Sequence, residues 1–297
     1  MAIKITKGND PILTKNLIVV LFGQPGAGKT SLAFSADKPL LLDFDNGAKR
    51  SIGRKDAVLI DNWSDVASLT EEDLTNYNTI IIDTVGRCLD LLGVELGKRD
   101  SKLVRRTGEL TQQGYGALFN AFKSWIEMIK SFGKDIVLIA HKKDEKRSED
   151  TYFSLDAKGS SKEEILKIAD LLGYVSIMSG KRILDFNPTE EHAGKNCASF
   201  EELKITPYSE NQHYLSDIIE EAKRRMNNMS EEQTKEQQNY HEALFMIDVA
   251  QDVDDFNGLL EVEYILGHKA LKAHLHKTAL AHNLEFDAKS KKYIVKE

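Results

Sequence analysis

Apolar positions along the chain change rhythm twice. From Leu17 to about residue 140, short apolar runs alternate with stretches whose apolar residues recur every three or four positions. Leu17 to Phe22, Pro39 to Phe44, Ala57 to Ile60, Thr79 to Asp83 and Asp135 to Ala140 read as buried strands, with helices over 29–36, 86–96 and 113–132. This alternation predicts an α/β fold with a mostly parallel sheet and helices on both faces. After Leu171 the pattern becomes strand-on-strand. Tyr174 to Met178 and Arg182 to Phe186 are joined by Ser179-Gly180-Lys181, and Glu202 to Thr206 adds a short strand, which together predict an antiparallel extension.

The second change falls at 226–230, which reads as a linker and divides the chain into a core over 1–227 and a small, mainly helical C-terminal domain over 228–297. Ser230-Glu231-Glu232-Gln233 has the spacing of a capping box opening a helix that turns Tyr240, Leu244 and Ile247 inward. Helices are predicted near 231–251, 254–266 and 268–282, followed by a hairpin of Leu284-Glu285-Phe286 and Tyr293-Ile294-Val295. Charge is unevenly placed here: residues 231–263 hold ten acids and one lysine, whereas 264–297 hold seven lysines and three acids. The pattern fits either two solvated faces of opposite sign or a partner-docking module.

Composition narrows the class. With 297 residues, 41% hydrophobic and 29% charged, the chain has the balance of a globular protein and not of a disordered one. No apolar run reaches the roughly 20 residues of a membrane span, and the start carries no apolar signal core, so a soluble protein of the cytoplasm is expected. Cys88 and Cys197 form no CxxC pair and are expected to pack. A net charge of −7 argues against coating nucleic acid with the whole surface but leaves room for a local basic site.

The chemistry concentrates between the first strand and the first helix. Gly23-Gln24-Pro25-Gly26-Ala27-Gly28-Lys29-Thr30 matches G-x-x-x-x-G-K-[ST] at every fixed position, in the strand-to-helix context that the motif requires. Its glycines let backbone N–H groups wrap a phosphate, which Ser31 at the start of the helix helps to bind; Lys29 reaches the β- and γ-phosphates, and Thr30 supplies a hydroxyl to Mg2+. A second metal carboxylate is needed at the end of a neighbouring strand, and Asp83 of Thr79-Ile80-Ile81-Ile82-Asp83-Thr84 supplies it. Thr84 follows where a catalytic glutamate would otherwise stand, so the water-orienting base must come from elsewhere. Leu41-Leu42-Asp43-Phe44-Asp45-Asn46-Gly47 offers two carboxylates at i and i+2; Asp45 is chosen as the catalytic acid with Asp43 in support, the alternative being two turn residues.

Together GQPGAGKT, LLLDFDNGA, IIIDT and IVLIAHKK resemble a RecA-fold ATPase, and specifically the phage-encoded RecA-like ATP-binding proteins of the single-strand-annealing type, from about Leu17 to Tyr208. The resemblance implies a RecA-like P-loop core, ATP as the nucleotide, Mg2+, and assembly into a homo-oligomer. It also implies single-stranded DNA as a ligand, a role in phage recombination or annealing within the host cytoplasm, and an annealing or single-strand-binding protein as a further partner. Asp45 stands where that family carries a glutamate. His141, ending the strand Ile136 to Ala140, would fall in the role of a γ-phosphate sensor. Lys195 in Gly194-Lys195-Asn196 resembles the lysine that reaches a neighbouring subunit's nucleotide, with Arg182 in reserve.

The resemblance also implies two DNA-binding loops. The first, Gly97 to Gly114, carries Lys98, Arg99, Lys102, Arg105 and Arg106; the second, Lys142 to Lys162, has nearly balanced charge. Tyr115, Tyr152 and Phe153 at their edges are suited either to base stacking or to anchoring on the core. His268, His274, His276 and His282 lack the compact pairing of a zinc site and read as helix surface. Two other functions stay open: a P-loop ATPase that loads a helicase or drives a motor, and an ATP-gated binding module with negligible hydrolysis.

Overall fold

The computed structural model describes residues 13–147, 150–157, 161–227 and 231–296. They form two compact units, Leu13–Asn227 and one within Asn228–Glu297.

In the core unit the chain runs β1 (Ile18–Gly23), α1 (Lys29–Ala33), β2 (Pro39–Asp43), β3 (Ala57–Leu59), α2 (Ser64–Ala67), β4 (Thr79–Asp83), α3 (Val85–Arg99), α4 (Gln112–Ser131), β5 (Asp135–Arg147), β6 (Asp150–Leu155), α5 (Ser161–Ile168), β7 (Leu171–Met178), β8 (Lys181–Asp185), β9 (Lys195–Asn196), β10 (Leu203–Lys204) and α6 (Tyr214–Asn227). The main sheet has the order β10-β8-β7-β1-β5-β4-β2-β3. Strands β7, β1, β5, β4, β2 and β3 pair in parallel, and β8 adds antiparallel to β7. This is the predicted α/β class, with a mixed, mostly parallel sheet.

Alternation along β1 explains the layering. Ile18, Val20 and Phe22 enter one cluster with Leu89 and Leu92 of α3, Phe122, Trp125 and Ile129 of α4, and Ile165 of α5. Val19 and Leu21 enter another with Leu32 of α1 and Leu215, Ile218, Ile219 and Ala222 of α6. Successive side chains on a strand point to opposite faces, so a strand covered on both faces must be apolar throughout. All six residues of β1 are buried.

Several elements of the core unit differ from the sequence reading. Helix 29–36 is shorter, ending at Ala33. No element is predicted over 209–225, yet α6 forms there, with buried Leu215, Ile218, Ile219 and Ala222 at the i, i+3, i+4, i+7 spacing of an apolar stripe. The second expected loop, Lys142 to Lys162, is instead mostly regular structure: β5 continues to Arg147, pairs with β6 from Lys142↔Leu155 onward, and is followed by α5.

The C-terminal unit contains α7 (Glu231–Val249), α8 (Val253–Leu259), α9 (Glu263–Gly267), α10 (Lys269–Ala281), β11 (Leu284–Asp287) and β12 (Lys292–Val295). The helix expected over 254–266 is thus two helices, α8 and α9. Its core joins Ile247, Phe256, Leu259, Ile265, Leu271, Leu275, Leu284 and Tyr293, with Tyr240 and Leu244 packed against it. The capping box expected at Ser230 to Gln233 lies outside the described residues. Asp252 forms one at α8, its carboxylate accepting from Asp254 and Asp255 N–H while the Asp255 carboxylate accepts from Asp252 N–H. Cys88 is buried as expected, and Cys197 is exposed. No helix among the described residues is long and apolar enough to cross a membrane.

Candidate functional site

The site forms at the C-terminal ends of β1, β4 and β5. Strand β5 lies between the other two, pairing Gly23 with His141 on one side and Asp83 with Ile139 on the other. At about 4.8 Å per strand, Gly23 and Asp83 stand two spacings apart. The turn after β1 and the first turn of α1 carry Thr30 across that gap, and its Oγ1 donates a 2.6 Å hydrogen bond to Asp83 Oδ2.

The residues of the glycine-rich turn divide into those that build it and those that face outward. Gly23 sits so close to β7 that an added Cβ would lie 2.2 Å from the Val175 carbonyl oxygen. Gly28 has φ +90° and precedes α1, a conformation that favours glycine. Ala27 is buried, and the carbonyls of Gly23 and Gln24 each accept a 2.9 Å hydrogen bond from the Lys29 ammonium. Pro25, Gly26, Gly28, Lys29, Thr30 and Ser31 line a cavity of about 590 Å³, together with Asp45, Asp83, Ile139 and His141. Gly23, Gln24 and Ala27 shape the cradle. The Ser31 hydroxyl accepts a hydrogen bond from the Ile52 N–H at 3.0 Å, tying the cradle to the loop after β2.

Burial sets the electrostatics. It lowers the Lys29 pKa, with Asp83 opposing. It raises that of Asp83, the Thr30 hydrogen bond and Lys29 opposing while Asp43 and Asp45 push the same way. A partly desolvated ammonium beside a carboxylate and a hydroxyl is suited to bind phosphate and a hard divalent cation: Thr30 and Asp83 present adjacent oxygen donors, the chemistry that Mg2+ selects.

The two acids at and just after the end of β2 take different roles. Asp43 is fully buried, and its carboxylate accepts hydrogen bonds from the N–H groups of Asp45 at 3.2 Å, Gly47 at 3.0 Å and Ala48 at 2.8 Å. It is a turn residue that fixes the loop. Asp45 is exposed on that loop and lines the cavity. His141 lines it too, and its Nδ1 is buried with no hydrogen-bond partner.

Lys195 does not join the cavity. Its ammonium lies 3.3 Å and 3.4 Å from the carbonyls of Leu166 and Lys167 at the C-terminal end of α5, where a cation satisfies unpaired helix carbonyls. Arg182 of β8 lines the cavity of its own chain, its Nε 3.0 Å from where a Cβ on Gly28 would lie. Arg50, on the short 3-10 turn Ala48–Arg50, lines it as well. The sequence reading missed Arg50, whose only signal was its place five residues after Asp45.

The two expected DNA loops diverge. The first folds as a tight hairpin on α3 and α4: Val104 bridges Leu110, Arg105 N–H donates to the Glu109 carbonyl and Thr111 N–H to the Leu103 carbonyl. Arg99 pairs with Glu95, while Arg105 and Arg106 are exposed beside a groove of about 700 Å³ along α3. In the second region Lys142 pairs with Asp144 and lies over the Phe153 ring, and Lys162 pairs with Glu145. Lys158 lies outside the described residues. Phe153 stacks on Tyr174 at 5.7 Å, and Tyr115 and Tyr152 pack against the core, so these aromatics anchor.

Among the described residues no group of three or more His, Cys, Asp or Glu side chains that could hold a metal ion is found. His274 pairs with Asp248 and His276 with the Tyr293 hydroxyl.

A sequence model of the AAA domain matches residues 15–198, more than half of the chain, and the chain belongs to that family. It is a P-loop protein with the capacity to bind ATP. Solved structures to which the chain shows similarity include a RadB recombinase, at 10% identity over 57% of this chain and 79% of that one with a TM-score of 0.36. Another is a KaiC-like protein, PH0186, from Pyrococcus horikoshii OT3, at 11% identity over 65% and 86% with a TM-score of 0.37. No curated protein matches the chain.

Proposed function

We propose that this AAA-domain chain is a Mg2+-dependent ATPase that binds single-stranded DNA and supports DNA recombination or strand annealing. The observation that carries the ATPase part is the meeting of Lys29, Thr30 and Asp83 over the end of β5, with Asp45 exposed at the rim of the same cavity.

In this reading Lys29 holds the β- and γ-phosphates. Thr30 and Asp83 would hold Mg2+, which would supply positive charge to offset that of the phosphates. Asp45 orients the attacking water, and the loop locked by Asp43 keeps it in place. His141, with an unused buried Nδ1, faces the γ-phosphate position. Arg182 and Arg50 add positive charge over the transferring group, from within the same chain. Arg105 and Arg106, held outward on the hairpin beside α3, are the phosphate-binding cations for single-stranded DNA. Homo-oligomeric assembly, Lys195 reaching in trans, and an annealing partner are the finer parts of the proposal and rest on the motif resemblance.

The test is ATP turnover by the wild-type chain and by Lys29→Ala, with and without a single-stranded oligonucleotide. Mg2+-dependent turnover that the oligonucleotide stimulates, and that Lys29→Ala abolishes together with binding of a labelled ATP analogue, is expected. Unchanged nucleotide affinity in the variant refutes the phosphate site, and turnover that single strands leave unaltered refutes the DNA-coupled reading.

A further inference from the structure

A second cavity opens off the phosphate site. It holds about 270 Å³ and shares Gly28, Ser31, Ile52 and Arg182 with the first, of about 590 Å³. Asp45, Asp83 and His141 line the first, around the position proposed for the γ-phosphate. The second runs on along α1 from Ser31 past Leu32 to Ser35, and the chain after β10, from Ile205 to Asn211, walls its other side. In a glycine-rich phosphate loop the lysine reaches the β- and γ-phosphates while backbone N–H groups cradle the α- and β-phosphates. A nucleoside leaves from the α-phosphate, and the second cavity is the continuation of the cradle that α1 offers it. Together the two cavities fall within the roughly 300–1,000 Å³ of small-molecule sites.

Apolar surface comes from Ile52, Ile205, Pro207 and Tyr208. Two contacts hold this wall in place. The Ile52 N–H donates to the Ser31 hydroxyl at 3.0 Å, and the Pro207 carbonyl accepts from the N–H groups of Glu210 at 2.9 Å and Asn211 at 3.1 Å, which fixes the turn behind Tyr208. The Tyr208 ring lies so close to Gly53 that an added Cβ there would come within 2.3 Å of it, so the ring is fastened to the loop that also carries Asp45. The ring is half-buried and Ile52 is 65% exposed, and a flat apolar ligand laid against them would cover both.

The side chains that could present a fixed hydrogen-bonding edge are already engaged. The Asn211 amide donates to the Asp217 carboxylate at 3.0 Å and accepts from the His213 N–H at 2.8 Å. The Ser35 hydroxyl donates to the Leu32 carbonyl at 2.6 Å and accepts from the Leu215 N–H at 2.9 Å. Arg182 stands over the phosphate cradle, its Nε 3.0 Å from the Cβ position of Gly28. The polar side chains left to a base are the hydroxyls of Thr206, Tyr208 and Ser209. A hydroxyl rotates to donate or to accept, so it meets the 6-amino group of adenine and the 6-keto oxygen of guanine alike. Rejection by several orders of magnitude requires buried groups that one ligand satisfies and the other leaves unpaired.

We propose that this chain does not discriminate between purine nucleotides: the second cavity takes the nucleoside by contact with Ile52, Pro207 and Tyr208, and GTP binds there as well as ATP. The inference rests on the phosphate site of the proposed function and adds the specificity of that site. Affinity for the base comes from covering the wall and from stacking on Tyr208, both of which are the same for adenine and guanine. Specificity for the triphosphate stays with Lys29 and the glycine-rich turn.

The test is equilibrium binding to the full chain in Mg2+, with ATP, GTP and inorganic tripolyphosphate titrated separately into the wild type, Tyr208→Ala and Tyr208→Phe. ATP and GTP should bind the wild type within about tenfold of each other, the scale on which an apolar pocket separates similar ligands. Tyr208→Ala should weaken both by a common factor of about 5- to 150-fold, the loss expected when one base leaves an aromatic ring. Its affinity for tripolyphosphate, which has no base, should equal that of the wild type and so report an intact phosphate site. Tyr208→Phe keeps the ring and should keep both nucleotide affinities. A wild-type preference for either base larger than about tenfold overturns the proposal and leaves the phosphate site standing. So does a Tyr208→Ala chain that binds ATP and GTP like the wild type or loses tripolyphosphate equally, and so does a Tyr208→Phe chain as defective as Tyr208→Ala. A wild-type chain that binds none of the three ligands overturns the phosphate site, and this inference with it.

Discussion

Asp43 and Asp45 are two residues apart, and the structure separates their roles sharply enough to measure. Asp43 is fully buried, with both carboxylate oxygens occupied by the N–H groups of Asp45, Gly47 and Ala48. Hydrogen bonds to a charged acceptor are worth about 1.5–3 kcal/mol each. In Asp43→Asn one oxygen becomes an NH2 group that cannot accept, so at least one of the three bonds is lost and a donor is left facing a donor. Relief of the repulsion between Asp43 and Asp83 offsets part of this, leaving a net destabilisation of about 1.5–3 kcal/mol. For a unit the size of Leu13–Asn227, each kcal/mol lowers Tm by roughly 2–4 °C, so a fall of about 3–12 °C is expected. Asp45→Asn changes an exposed side chain and should stay within about 0.5 kcal/mol of wild type, while turnover falls by about 100-fold or more. Calorimetric melting of both variants, paired with steady-state ATP turnover, reads the two effects. If Asp43→Asn melts within about 2 °C of wild type, the buried-cap argument fails; if Asp45→Asn keeps its turnover, the water is oriented by another group.

Two further predictions follow from the same pocket. Mg2+ requires the ionised form of Asp83, whose pKa is raised by burial and by its neighbouring carboxylates, so Mg2+-dependent nucleotide binding should fall as pH drops through a value above the ordinary aspartate range of about 3.9. Removing the Asp43 charge should move that acid limb to lower pH, and a limb unmoved in Asp43→Asn, measured by titration calorimetry, would contradict the assigned cause. Arg182 lines its own chain's cavity, so mixing Arg182→Ala with Asp45→Asn should give only the average of the two turnovers. Rescue on mixing would place Arg182 at a neighbour's nucleotide.

The parts of the fold that were legible in the sequence are those whose signal is local. Buried parallel strands must be apolar on both faces, so β1, β2, β4 and the first half of β5 announce themselves as unbroken runs. Helix α6 carried an equally plain stripe at Leu215, Ile218, Ile219 and Ala222, but charged residues between these positions and the nearby linker masked it. The second half of β5 was not legible because Lys142 to Arg147 is wholly polar. It is a strand only because β6 pairs with it and because Lys142 and Glu145 find partners in Phe153, Ser154 and Lys162. Propensity yields there to tertiary pairing, as β-structure generally permits.

The site divides along the same line. The glycine-rich turn and Asp83 are recognisable because a contiguous motif and a strand end suffice to specify them. Arg182 lies more than 150 residues from Gly28, and only the pairing of β8 beside β7, and of β7 beside β1, brings its guanidinium to the cradle. On sequence grounds the resemblance favours Lys195 and keeps Arg182 in reserve, both being cations of the antiparallel extension. The sheet order separates them: β8 runs back past the end of β1 that bears the cradle, whereas Lys195 pairs with Leu172 near the start of β7 and turns its ammonium to the end of α5. A cation already satisfying two helix carbonyls must give up those contacts before it can serve a neighbour's phosphate. Arg182 has no ion-pair partner among the described residues. In the proposed reading, positive charge over the phosphates therefore comes at lower cost from within the chain, and any coupling between subunits through Lys195 would have to be accompanied by release of the α5 terminus.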